Sequence, residues 1–227
     1  MPEHRGWRAA WPGLCATLVG VGIGRFSYTP LIPFLIAGGI VSESEAAYLG
    51  AAGVLGYLVG ASLAARLAIR FGMTDAVRAT FAVAVLSLGA CIPQLGFWWF
   101  LPWRVLSGVA GAILMVLGPS LMLIRTLAGE RGRAGGLIYT GVGLGAVIGS
   151  LVVAPLAALT PAYAWLALAV AAAVAALVSW PGWHGGPHLA RRTPAMATAR
   201  GASGRLGLPL LCLIAAFAAD GAGFVPQ

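Results

Sequence analysis

Residues Trp11–Ile36 read WPGLCATLVGVGIGRFSYTPLIPFLI, an apolar run broken by a single charge, Arg25. A helix that crosses the hydrocarbon core of a bilayer needs about 20 mostly apolar residues, and this run exceeds that. Arg5 and Arg8 precede it, as basic residues precede a signal peptide. The run is too long for a signal-peptide core, however, and no small-residue cleavage site follows it. It reads as a retained first membrane helix. A charge near its middle is costly and persists only where a partner or a water-filled cavity receives it.

Working outward, six more segments qualify as spans: Ala46–Ala68, Ala76–Leu95, Phe97–Leu123, Ala134–Leu159, Ala162–Trp180 and Leu206–Pro226. They are apolar on every face, whereas strands of a membrane barrel alternate with a period of two. The chain is 60% hydrophobic and 9% charged, where soluble domains hold about 45–50% and about 25%. The expected fold is an all-α membrane protein. Residues 1–180 would form a six-helix bundle, 181–205 a basic cytoplasmic linker rich in Gly and Pro, and 206–227 a seventh helix opening a second bundle. Ser42 with Glu45 predicts a capping box at the start of the second helix, and Pro161 suits the first turn of the sixth.

Orientation follows from the basic residues, all fourteen of which are Arg. Arg5 and Arg8 lie in the N-terminal tail, Arg66, Arg70 and Arg78 around the second-to-third connection, and Arg125, Arg131 and Arg133 around the fourth-to-fifth. The long linker carries Arg191, Arg192, Arg200 and Arg205. Twelve of the fourteen therefore fall on one side, and the positive-inside rule makes that side cytoplasmic. This predicts a multi-pass protein of a bacterial inner membrane with its N-terminus inside. Trp98, Trp99 and Trp103 mark the outer interface, and Trp180 and Trp183 the inner one. A net charge of +8 spread between apolar segments is topogenic and excludes a nucleic-acid footprint.

Three ionisable residues fall within the spans: Arg25, Arg104 and Asp220. Arg25 reads as a binder of an anion or carboxylate, or as the counter-charge that keeps Asp220 ionised until a proton arrives; a static ion pair between bundles is the structural alternative. Around it, Gly20, Gly22 and Gly24 precede, and Pro30 and Pro33 follow, which predicts a weakened and kinked helix. The GxGxR spacing is not a dinucleotide fingerprint, because no strand precedes it and no acidic residue follows at the required distance. Tyr28 either hydrogen-bonds a ligand or only packs. Gly108, Gly111 and Ala112 allow close helix approach, as do Gly145 and Gly149, which read as tight packing or as a rocking contact. Cys15, Cys91 and Cys212 share no metal-binding spacing and read as small buried residues. His184 and His188 bracket Gly185, Gly186 and Pro187, which preclude the helix a paired metal site would need. No cofactor is implied.

A weak internal repeat sets Pro30 against Pro226, Tyr28 against Phe224 and Gly24 against Asp220, as expected of transporters with parallel repeats. The fourth segment, Arg104-x-x-Ser107-Gly108-x-x-Gly111-Ala112, resembles the fourth-helix motif of the major facilitator superfamily, whose arginine is linked to proton coupling. Arg70-Phe71-Gly72 falls where that superfamily carries its loop signature. Ala65, Ile69, Met73 and Thr74 depart from the pattern, which puts the usual charge latch in doubt, not the fold. The run Gly22–Leu31 closely resembles the first helix of the YbfB/YjiJ-like branch. The resemblance covers essentially the whole chain and implies a twelve-helix transporter of which this chain would be a C-terminally incomplete part.

The implied function is proton-coupled secondary transport of a small organic solute by alternating access. Arg25, Tyr28, Arg104 and Asp220 would line the pathway, and the partners would be solute, protons and lipid, with a monomeric full-length form. A receptor or assembly protein on the same bundle is the alternative, and a half-transporter working as a homodimer a third reading. A membrane enzyme would want clustered His, Asp or Glu, and the three His and six acidic residues are scattered.

Overall fold

The computed structural model describes residues 6–183. The linker beyond Trp183, the seventh segment, Asp220, Cys212 and both halves of the His184/His188 pair lie outside the described residues. Those described fold into six helical rods: α1 (Trp7–Ala37), α2 (Glu43–Phe71), α3 (Met73–Gly89), α4 (Phe97–Arg125), α5 (Ala128–Leu159) and α6 (Pro161–Trp183). No β-strand forms among them. All except α3 are long and apolar enough to cross a membrane, and the chain is a multi-pass membrane protein.

The local signals act where the sequence puts them. Ser42 caps α2 by accepting the Glu45 N–H at 3.3 Å, while Glu45 Oε2 accepts the Ser42 N–H at 2.7 Å. Thr160 adopts an extended conformation and Pro161 opens α6. Between α2 and α3 the chain turns on Gly72 alone, at φ 84°, a conformation that a side chain would strain.

The third rod differs from expectation. It ends at Gly89 rather than Leu95, and its 17 residues span only about 26 Å at 1.5 Å per residue. Pro93 offers no N–H and Gln94 takes φ 53°, so the chain leaves the helix through tight turns, with Cys91 N–H donating to Leu88 O and Ile92 N–H to Gly89 O. Trp183 also departs from its expected place. It is fully buried, its ring 6.1 Å from that of Phe81 on α3. It is a core residue of the bundle rather than an interfacial anchor. Trp180, by contrast, stays half-exposed, with Arg78 over its ring at 4.7 Å.

Two rods are irregular. In α1 the first α-helical turns give way to a π-helical stretch at Leu18–Phe26, a 3-10 turn at Thr29–Leu31 and a last α-helical piece at Ile32–Ala37. Pro30 and Pro33 supply no amide hydrogens there, so the carbonyls one turn earlier lose their ordinary partners. In α5 a π-helical segment at Gly149–Val153 absorbs Pro155 in the same way.

Candidate functional site

The two irregular rods meet. A Cβ added to Gly22 would stand 2.7 Å from Gly145 Cα, and one added to Gly149 would stand 3.0 Å from Ser27 Oγ. Small residues here let the backbones touch. On the other side of α1, a Cβ on Gly20 would meet Gly111 O of α4 at 2.8 Å. Gly108 of α4 abuts Gly53 O of α2, and Gly56 and Gly60 of α2 abut Val105 and Val109. The α2 seam, Gly53, Gly56 and Gly60, matches the α4 glycines on the facing rod. Its spacing of three and four was visible in the sequence but carries no charge to draw attention.

These close approaches frame a cleft of about 280 Å³ between α1, α2 and α4. Gly24, Arg25, Tyr28 and Thr29 reach it from α1, Gly50, Gly53 and Tyr57 from α2, and Arg104, Ser107 and Gly108 from α4. The last three lie at i, i+3 and i+4, one face of a helix. Arg25, Tyr28 and Arg104 are thus brought to one place. Asp220 lies outside the described residues.

The two arginines have different surroundings. Arg104 is 5% exposed, and its Cζ lies 4.2 Å from the centroid of the Tyr28 ring, within cation–π range. Its Nη1 donates to Gly24 O at 3.4 Å, at the end of the π-helical stretch. A Cβ at Gly53 would come 3.2 Å from Nη2, so the missing side chain makes room for the guanidinium. Its Nε is buried with no hydrogen-bond partner among the described residues. Tyr28 is buried in turn, and its hydroxyl donates to Ala46 O at 3.0 Å. Arg25, one turn before Tyr28, is exposed to the cleft and leans over Tyr57, Cζ to centroid 5.9 Å. No carboxylate among the described residues pairs with either arginine. Tyr57 was not singled out in the sequence, where it reads as one more apolar residue of the second span.

The other candidates lie elsewhere. Arg70 sits at the end of α2, its Cζ 5.4 Å from the Phe71 ring, with Gly72 beside it, away from the cleft-lining set. Cys15 and Cys91 are buried and unbridged. No cluster of metal-ligating side chains occurs among the described residues.

Irregular apolar rods packed through glycines, around a cleft that holds two arginines, have the architecture of a major facilitator transporter bundle. The chain belongs to the family described as "Uncharacterised MFS-type transporter YbfB", whose profile matches residues 17–227. That description is of a family of membrane transporters. Among solved structures the chain is similar to the proton:xylose symporter XylE bound to 6-bromo-6-deoxy-D-glucose, with TM-score 0.63 and 18% identity over 79% of this chain and 45% of that one. It is also similar to the inward-open xylose transporter XylE from E. coli, with TM-score 0.62 and 17% identity over 96% of this chain and 57% of that one. This chain therefore spans about half the length of those proteins, and at such identity the likeness shows the fold alone. No curated protein sequence matches it.

Proposed function

We propose that this chain supplies the N-terminal bundle and seventh helix of a secondary active transporter, which moves a small organic solute by alternating access and is driven by protons. One observation carries the reading. A guanidinium stands exposed in a cleft at the level where the first helix loses its regular hydrogen bonds, and a second, buried guanidinium lines the same cleft. Charges at membrane depth mark solute or ion pathways, and broken helices free backbone groups to face them. Arg25 and Tyr28 would present the solute side of the pathway, Arg104 would hold the cleft's geometry and field, and Asp220 would take up and release the proton. The paired irregular segments of α1 and α5 are the contact about which the bundle would rock.

The same reading sets the N-terminus in the cytoplasm of a bacterial inner membrane, with the full-length form monomeric in lipid. In support, the arginine-bearing ends gather together. Trp7 N–H donates to Glu130 at 2.7 Å, Arg125 Nη1 donates to Gly182 O at 3.2 Å, and Arg78 packs on Trp180. The test is solute-dependent proton flux in proteoliposomes that hold both bundles. Arg25→Ala and Asp220→Asn are each expected to lower flux at least tenfold. Flux unchanged in both variants refutes the site assignment.

A further inference from the structure

We propose that the cleft selects a small organic monoanion, bound through its carboxylate to Arg25. This deepens the transport reading and depends on it only in calling the ligand a substrate.

Charge is the first argument. The described acidic residues are Glu43, Glu45, Asp75 and Glu130, and none of them lines the cleft. Two are already engaged, Glu45 on the Ser42 amide and Glu130 on the Trp7 amide. Among the described residues the cleft presents two cations and no anion. A pairing of one arginine with Asp220, which the sequence puts in its seventh apolar segment, would still leave the other positive charge uncompensated.

Geometry decides how many charges the ligand brings. Arg104 is 5% exposed: the Tyr28 ring covers its face, Gly24 O takes Nη1, and Gly53 leaves room for its Nη2. Arg25 is exposed and lines the cleft, with its guanidinium over the Tyr57 ring. One accessible guanidinium neutralises one negative charge. Its planar fork matches the two oxygens of a carboxylate. A phosphate would bring a second charge and more oxygens than one fork can satisfy, and a buried anion without partners is costly.

Size and lining then select an organic acid over an inorganic anion. The volume of about 280 Å³ lies just below the range of about 300–1,000 Å³ usual for ligand pockets. Ile32, Ala46, Ala47 and Val54 form its apolar side. The ligand has a carboxylate at one end and a few apolar carbons at the other.

The test titrates the full chain in lipid nanodiscs calorimetrically. The probes are benzoate and butyrate, their neutral isosteres benzamide and butyramide, and inorganic phosphate. Benzoate or butyrate is expected to bind at least tenfold more tightly than its amide and more tightly than phosphate. Arg25→Gln is expected to lose at least tenfold, and Arg25→Lys, which keeps the charge but not the fork, to recover only part of that loss. Arg25 is exposed, so its replacement removes no core contact, and unfolding temperatures of both variants check this. Amides that bind as well as acids, phosphate that binds better, no carboxylate binding, or an unaffected Arg25→Gln variant each overturn the proposal. Carboxylate binding by a two-bundle protein that moves no solute would support the ligand class while refuting transport. Flux of a neutral solute without carboxylate binding would do the reverse.

Discussion

Tyr28 joins two kinds of contact in one side chain. Its ring faces the Arg104 guanidinium at 4.2 Å, and its hydroxyl reaches Ala46 O at 3.0 Å. Tyr28→Phe keeps the ring and loses the hydrogen bond, which is expected to cost about 0.5–1.5 kcal/mol of stability. Tyr28→Leu also removes the aromatic face that stabilises a buried cation, worth about 2 kcal/mol when desolvated. Thermal unfolding in detergent should therefore rank native above Phe above Leu. Equal stability of the Phe and Leu variants would mean that Arg104 draws nothing from the ring. The sequence left Tyr28 between ligand contact and packing. Its burial and its Ala46 bond give it a packing role, while the face it turns to Arg104 keeps it at the edge of the cleft. That division depends on how far the ring turns inward, which no spacing of residues encodes.

The rods depend on glycine more than on large side chains. Gly56 lies against Val105 and Gly60 against Val109, so α2 and α4 run in backbone contact. Gly56→Leu must push them apart, at a cost of about 1–3 kcal/mol typical of overpacking, and should also distort the Arg104 environment one turn away. Gly143 has nothing within 4 Å of an added Cβ, so Gly143→Ala should leave unfolding unchanged. Monodispersity and melting temperature check both variants. Much of this level was legible. The glycines of α1, α4 and α5 and the prolines at 30 and 33 stood out because apolar helices rarely carry so many breakers. The α2 seam was harder to see, since its glycines sit among alanines and mark no charge. The early end of α3 was missed because Cys91 and Ile92 are as apolar as a helix interior; the turns after Gly89 and the positive φ of Gln94 beyond them have no signature in hydropathy. Trp183 misled for a related reason. A tryptophan beside a basic linker resembles an interfacial anchor, and only the fold shows Phe81 waiting for it.

Six rods packed through glycines, with an arginine-bearing cleft between three of them, make the described bundle. The fold class could be read from composition and segment lengths, because lipid as solvent leaves few architectures in which backbone groups are satisfied. The cleft's members were half legible: the charges announced themselves by their cost in lipid, while Tyr57 and Gly53, which shape their surroundings, did not.

Everything asked of Arg25 requires water at its side. The most direct measurement is thiol labelling by a membrane-impermeant maleimide, applied from each face of the membrane to a chain whose Cys15, Cys91 and Cys212 are replaced. Thiolates react in water and not in lipid, so a cysteine reports its solvent. A hydrated cleft predicts that Thr29→Cys, in the cleft lining, reacts. Leu177→Cys, on the outer face of α6 and 71% exposed, stays silent. Silence at position 29 from both faces, or equal labelling at both positions, would contradict a water-filled cleft and with it the role given to Arg25.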